Sequence, residues 1–278
     1  MTDDAPRDEL EALEIRLLLE GVYQQYGYDF RDYAQGTRMR RIRERVRKEE
    51  LISIAGLLEL VLHDPQCMTR LIGDLSITVS EMFRDPGLFQ TLRDNIVQLL
   101  DTYPFIRIWH AGCANGEEVY SLAILLHEEN LLERCRIYAT DMNEAALQQA
   151  QRGIFPLKQM QAYTQNHLAA GGKGSFSDYY TAKYDHARFR PWLKENVVFS
   201  QHNLTTDGAF NEFNIIFCRN VMIYFNKALQ DRVHGLFYQS LTRLGYLILG
   251  SQESIRFSPH EHCFETVDAE EKIYRKIK

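Results

Sequence analysis

The chain lacks several things that would otherwise set its class. No apolar run approaches the length a bilayer needs, and the start, MTDDAPRDEL, is acidic where a secretory leader would be basic and then apolar. There is no C-x-x-C pair. The five cysteines, at 67, 113, 135, 218 and 263, stand singly and mostly in apolar runs, which argues against structural zinc and for a reducing compartment. Excess positive charge is also absent: the net charge is −6, so the surface as a whole does not attract nucleic acid. Neither G-x-x-x-x-G-K-[ST] nor G-x-G-x-x-G occurs at a strand-to-helix turn, which disfavours triphosphate and dinucleotide binding. The expectation is a cytoplasmic, monomeric protein that is not inserted in a membrane and needs no metal.

What is present centres on Ile106–Ser121, IRIWHAGCANGEEVYS. A short apolar run fit for a buried strand leads into a small-residue loop with Gly112 and Gly116, and then into Glu117-Glu118 at a helix start. Glycines let the backbone take positive φ and approach a ligand closely, and in an open parallel sheet ligands lie off the carboxyl ends of the strands. Two carboxylates in the first turn would repel phosphate. They suit a nucleoside that carries positive charge, of which S-adenosylmethionine, with its sulfonium and ammonium, is the commonest. A Glu in a first turn can also simply complement the helix dipole. Arg136–Asp141, RIYATD, supplies a second strand ending in an acid that is placed to accept both ribose hydroxyls, or to cap the helix that follows from Asn143 to Arg152. The two corners together favour the nucleoside.

The rest of the chain falls into order around this unit. Residues 8–26 predict a helix with Leu10, Leu13, Leu17, Leu18 and Val22 on one face, ended by Gly27. A second helix, Gly36–Glu50, is basic, with Arg38, Arg40, Arg41, Arg43, Arg45, Arg47 and Lys48 around a stripe of Met39, Ile42 and Val46. Such a run is often a solvated face, but in an acidic protein it suggests docking of something negative. No aromatics interleave the arginines, which speaks against single-stranded nucleic acid. Helices at Ser53–His63 and Pro65–Leu75, divided by Asp64-Pro65, complete an all-α domain over residues 1–75. Residues 76–90 form an extended connector, in which Asp85-Pro86 signals the N-cap and first turn of a helix to Leu100. The α/β domain spans residues 91–278, with a tyrosine-rich antiparallel insertion at about 171–195. Strands at Asn196–Asn203, Phe213–Asn220 and Gly245–Ser251, a helix at Asn226–Leu244 and closing strands near Thr266 and Ile273 then predict a doubly wound sheet.

Five stretches, ITVSEMFRDP, WHAGCANGEEVYSLA, YATDMN, HNL and FCRNVMIYF, occur here in an order and spacing that resemble the CheR-type chemotaxis receptor glutamate O-methyltransferases. The basic helix TRMRRIRERV fits the same family's N-terminal domain, so the resemblance covers nearly the whole chain. It implies a Rossmann-like class I methyltransferase fold with a small antiparallel β insertion, preceded by a small all-α domain. It further implies that S-adenosylmethionine, with S-adenosylhomocysteine as product, is held by Thr78, Ser80, Arg84, Glu118, Asp141, Asn203-Leu204 and Arg219-Asn220. Thr78 departs from the family's Asn, a longer polar arm. Arg84 and Tyr224 are the residues it implies at the transferred methyl. The partner implied is the cytoplasmic domain of a methyl-accepting chemoreceptor, with Arg38, Arg41 and Arg45 as docking residues and the β insertion as a second dock in some family members.

A glutamate side chain is already ionised at neutral pH, its ordinary pKa being ~4.3, so the reaction needs no general base. This agrees with the absence of an obvious His–acid pair in these motifs. His110 shows no partner, and Cys113 is better read as small-residue packing than as a nucleophile. The rival readings are a methyltransferase for another substrate, such as RNA or a small molecule, and a non-catalytic S-adenosylmethionine sensor. An NAD enzyme is the more distant alternative.

Overall fold

The computed structural model describes residues 5–76 and 80–278. These group into two units, one comprising residues 5–76, 203–207 and 224–233, and the other the remaining described residues.

In the first unit, α1 (Ala5–Tyr26) runs into Gly27, whose φ of +76° ends the helix as expected. The face that packs is Ile15, Leu18, Leu19 and Val22, all nearly inaccessible. This corrects the face expected from sequence: Leu10, Leu13 and Leu17 are 57%, 42% and 51% exposed. At Gly21 a Cβ would come within 2.9 Å of the Leu58 side chain on α3 (Ile54–His63), so a larger residue there would push that leucine aside. Ser53 caps α3, accepting from the Gly56 amide at 3.2 Å, and Asp64 caps α4 (Pro65–Leu75), accepting from the Gln66 amide at 2.9 Å. Residues 203–207 and 224–233 also belong to this unit, and backbone bonds tie in the second stretch: Ala34 N donates to the Tyr224 carbonyl at 2.7 Å and Asn226 N to the Asp32 carbonyl at 2.8 Å.

The second unit is built on a seven-stranded sheet. Its strands are β1 (Ile106–Ala111), β2 (Cys135–Asp141), β6 (Val197–Gln201), β7 (Phe213–Cys218), β8 (Leu241–Leu249), β9 (Phe264–Asp268) and β10 (Ile273–Lys276), in the order β6-β2-β1-β7-β8-β10-β9. The first five are parallel; β10 runs antiparallel to β8, and β9 antiparallel to β10, so β9 again points along the first five. From β1 the chain steps outward to β2 and β6, then returns to lay β7 on the other side of β1. Strand order therefore reverses between β1 and β7, and ligands bind at such a switch point, off the carboxyl ends of the strands.

The insertion is larger than expected. It forms a second sheet, β3 (Ile154–Pro156), β5 (His186–Phe189) and β4 (Tyr180–Lys183), and so begins at residue 154 rather than 171. α9 (Met160–Ala169) lies between its first two strands in sequence. Two other boundaries move: α10 (Lys227–Ser240) stops four residues early and β8 begins four residues early. The helix expected after Pro86 is α5 (Pro86–Thr91) and α6 (Val97–Leu100) around a π-helical stretch, Leu92–Ile96. Arg93 in that stretch is buried, donates to the Ala170 carbonyl at 3.1 Å, and pairs with Glu128 and Glu129. Glu128 also accepts from His167 and Tyr179, both at 2.8 Å, and this network holds its pKa down at about 2 in spite of burial, which pushes the other way. All five cysteines are free and buried, and no described helix is long and apolar enough to cross a membrane.

Candidate active site

The turn from β1 into α7 (Glu117–Glu128) is built as its glycines demand. Gly112 has φ +76°, and a Cβ there would lie 2.5 Å from Val221. Gly116 precedes the helix with φ +92°, and its Cβ would lie 2.8 Å from that of Ala150. The amides of Gly112 and Cys113 donate to the Thr140 carbonyl at 2.8 and 2.9 Å, which ties the turn to the end of β2.

Asp141, at that end, uses both carboxylate oxygens. Oδ2 accepts from Ala114 N and Oδ1 from Asn143 N, each at 2.9 Å. It does not cap the next helix. Asn143 does, its Oδ1 accepting from Ala145 N at 3.1 Å and Ala146 N at 3.3 Å ahead of α8 (Glu144–Arg152). Burial raises the Asp141 pKa, and the amides pull against that rise.

Glu117 and Glu118 are both buried, at 5% exposure, yet their pKa values move in opposite directions. Burial pushes Glu117 up to about 7, and its Oε2 has no hydrogen-bond partner among the described residues. Burial alone would raise Glu118 too, but the Arg219 guanidinium and a bond from His110 bring it down to about 2. His110 Nε2 lies 3.0 Å from Glu118 Oε1. This corrects the sequence reading: His110 has a partner, and a His–acid pair stands in the motif, with one helix-turn residue facing the strand before it.

Arg219 follows β7. Its Nη1 donates to Glu118 Oε2 and, at 3.4 Å, to the Arg84 carbonyl, and its Nη2 pairs with Asp85. Arg84 therefore meets the cluster through its backbone. It stands between Phe83 and Asp85, whose φ values of +52° and +54° lie in the left-handed region. Asp85 is not the side-chain cap that Asp-Pro suggests, because its carboxylate is taken by Arg219. Phe83 N donates to Ser121 Oγ at 2.8 Å, and Ser121 Oγ donates to the Glu117 carbonyl at 2.9 Å, fastening this segment to the start of α7.

Sequence reasoning passed over Glu253. Its Oε2 accepts from Asn220 N at 2.9 Å and Gly250 N at 2.7 Å; its Oε1 accepts from Val221 N at 2.9 Å, Met222 N at 2.7 Å and Ile223 N at 3.3 Å. The nearest available signal was an acid two residues beyond the end of an apolar strand.

The structure thus brings Arg84, Glu118, Arg219 and Asn220 into one unit with Asp141. Ser80 is half-buried there, and Thr78 lies outside the described residues. Asn203, Leu204 and Tyr224 fall in the other unit. In that unit Asn203 Oδ1 accepts from Thr205 N at 3.0 Å and Thr205 Oγ1 at 2.7 Å, and Leu204 is buried.

The basic helix, α2 (Gln35–Lys48), needs one correction. Arg45 does not face outward: it is buried and paired with Asp74 and with Glu49 at 3.0 Å. Arg38 donates to the Arg31 carbonyl, and Arg41 is half-buried. Arg40 and Arg47 are exposed, as is Arg43, which pairs with Glu11.

Residues 78–273 match the family described as CheR methyltransferase, SAM binding domain, and residues 13–76 match CheR methyltransferase, all-alpha domain. The chain belongs to the CheR methyltransferase family. It is 48% identical over 264 residues to Cher3 of Pseudomonas putida, covering 95% of this chain and 97% of that one. It is 30% identical over 227 residues to chemotaxis protein methyltransferase 2 of Pseudomonas aeruginosa, covering 79% of each. To the chemotaxis protein methyltransferase of Listeria monocytogenes it is 28% identical, over 89% of this chain and 92% of that one. The α/β unit is accordingly an S-adenosylmethionine-binding methyltransferase domain.

Proposed function

We propose that the chain methylates glutamate side chains on the cytoplasmic helices of chemoreceptors, forming methyl esters. The observation that carries this reading is the acid-lined corner at the switch point. Buried carboxyls stand where a phosphate binder would leave bare amides, and Glu117 Oε2 lies buried without a hydrogen-bond partner among the described residues. That orphaned oxygen, with Asp141 at the next strand tip, fits a cationic nucleoside with ribose hydroxyls to donate.

Asp141 would hold the ribose, Glu117 or Glu118 the methionine end, and Arg219-Asn220 the side of the pocket next to β7. Thr78, Ser80, Asn203 and Leu204 complete the proposed set. When bound, S-adenosylmethionine supplies an electrophilic methyl carried on a sulfonium. The chain's own residues then have to orient and desolvate. A glutamate nucleophile is anionic at neutral pH, and its negative charge diminishes as it bonds to the methyl, so a dry site favours reaction. A tight grip by Arg84 on that carboxylate would stabilise the ground state more than the transition state. Arg84 and Tyr224 therefore act by setting the geometry of attack.

The substrate class is supported by the exposed arginines of α2, which suit an acidic helical surface, and by the names of the chemotaxis relatives. Transfer of labelled methyl from S-adenosylmethionine to receptor cytoplasmic fragments tests the reading. Base-labile label supports a carboxyl ester; label that resists base, or none, defeats it.

A further inference from the structure

Between β7 and α10 the chain passes through Asn220–Ile223, a stretch in which four successive amides, those of residues 220, 221, 222 and 223, all point at one side chain, Glu253. Asn220 begins it with φ +60°, so the turn is left-handed at the residue beside Arg219. Four amides aimed at one point, one buried and three half-buried, would cost free energy if left unpaired. The carboxylate satisfies them together, and with the Gly250 amide at 2.7 Å it fixes the turn against the end of β8.

Gly250 completes the cradle. A Cβ there would lie 2.7 Å from Glu253 Oε2 and 2.8 Å from Asn220 N, so no side chain fits between the carboxylate and the turn. Glu253 N in turn donates to the Gly250 carbonyl at 2.9 Å, which closes the Gly250–Glu253 segment on itself.

We infer that Glu253 is a positioning residue for methyl transfer, acting through the backbone of 220–223 to set where Asn220 stands in the cofactor site. The inference rests on the reading of Asn220 as a cofactor contact. Glu253 touches neither cofactor nor substrate in this scheme. Its two oxygens divide the work: Oε1 gathers residues 221–223, while Oε2 holds Asn220 to Gly250. An amide in place of the carboxylate keeps one acceptor and turns an N–H2 towards amides that are themselves donors, so one half of the grip becomes repulsive.

The test uses the full chain and S-adenosylhomocysteine as probe, with Kd measured by calorimetry on protein shown to be folded by circular dichroism. Glu253→Gln is expected to weaken binding by about tenfold and to raise KM for S-adenosylmethionine more than it lowers kcat, the effect of a misplaced contact rather than of fewer folded molecules. Gly250→Ala perturbs the same cradle from the opposite side and is expected to give the same split; it carries the test if Glu253→Gln does not fold. Asn220→Gly removes the side chain while keeping the left-handed backbone. If Asn220→Gly weakens binding but the cradle variants stay within about twofold of the parent, the positioning role is overturned and the contact stands. If Asn220→Gly is also without effect, the reading of Asn220 fails and the inference with it.

Discussion

Arg219, just after β7, and Glu118, in the first turn of α7, are 101 residues apart in sequence and form a buried ion pair, with His110 completing the carboxylate's coordination. Removing one partner of a buried pair leaves the other charge stranded. Arg219→Ala is expected to lower unfolding stability by about 3–5 kcal/mol, measured by denaturant titration. A loss under about 1 kcal/mol would mean that water already screens the pair.

The two neighbouring glutamates have opposite pH signatures. Glu118 has its pKa lowered to about 2 from 4.5, so its contribution is present above 4.5 and is lost as pH falls towards 2. Glu117 is raised to about 7, so its contribution is complete below 4.5 and is lost as pH rises through 7. Glu117→Gln should therefore stabilise the ligand-free chain at pH 8 by about 3 kcal/mol, at ~1.36 kcal/mol per pKa unit, and should make little difference near pH 5. Equal effects at both pH values would refute the assignment. The same variant is expected to bind S-adenosylhomocysteine more weakly, because the orphaned oxygen is lost.

The arginines of α2 should separate into two classes. Reversal of the exposed pair, Arg40→Glu with Arg47→Glu, is expected to raise KM for a receptor fragment while leaving the Kd for S-adenosylhomocysteine unchanged. Arg45→Glu places a third carboxylate beside Glu49 and Asp74 and should chiefly destabilise the helical unit, by about 3–5 kcal/mol. A fall in methylation with no fall in melting temperature for Arg45→Glu would restore it as a docking residue.

Arg84→Ala and Tyr224→Phe bear on the chemistry itself. Each is expected to reduce turnover at saturating substrate and cofactor by about tenfold or more, since orientation is realised only on the way to the transition state. Turnover within about twofold of the parent would remove either residue from that role.

What could be read in advance follows from how local each signal is. The β1–α7 corner was legible because positive φ at Gly112 and Gly116 is a demand the chain states within six residues. Asp64-Pro65 was legible for the same reason. The cluster around Glu118 was not, because Arg219 and Asp85 reach it only through strand order. Asp85-Pro86 carried a real N-cap pattern, and a guanidinium 134 residues further on redirected its carboxylate. On α1 the leucines occupy so much of the circumference that periodicity admits two faces, and only packing on α3 selects Ile15–Leu18–Leu19–Val22. Arg45 was misassigned because its acids include Asp74, on another helix.

The order β8-β10-β9 has a consequence for biosynthesis. Among the described residues β9 pairs only with β10, which follows it in the chain, so as the polypeptide leaves the ribosome residues 264–268 have no ladder to join until residues 273–276 have emerged. During that interval the outer side of β8 is an open edge, the kind of surface that recruits neighbouring nascent chains. Loss of β10 pairing would leave β8 as an edge strand open to pairing with a second chain.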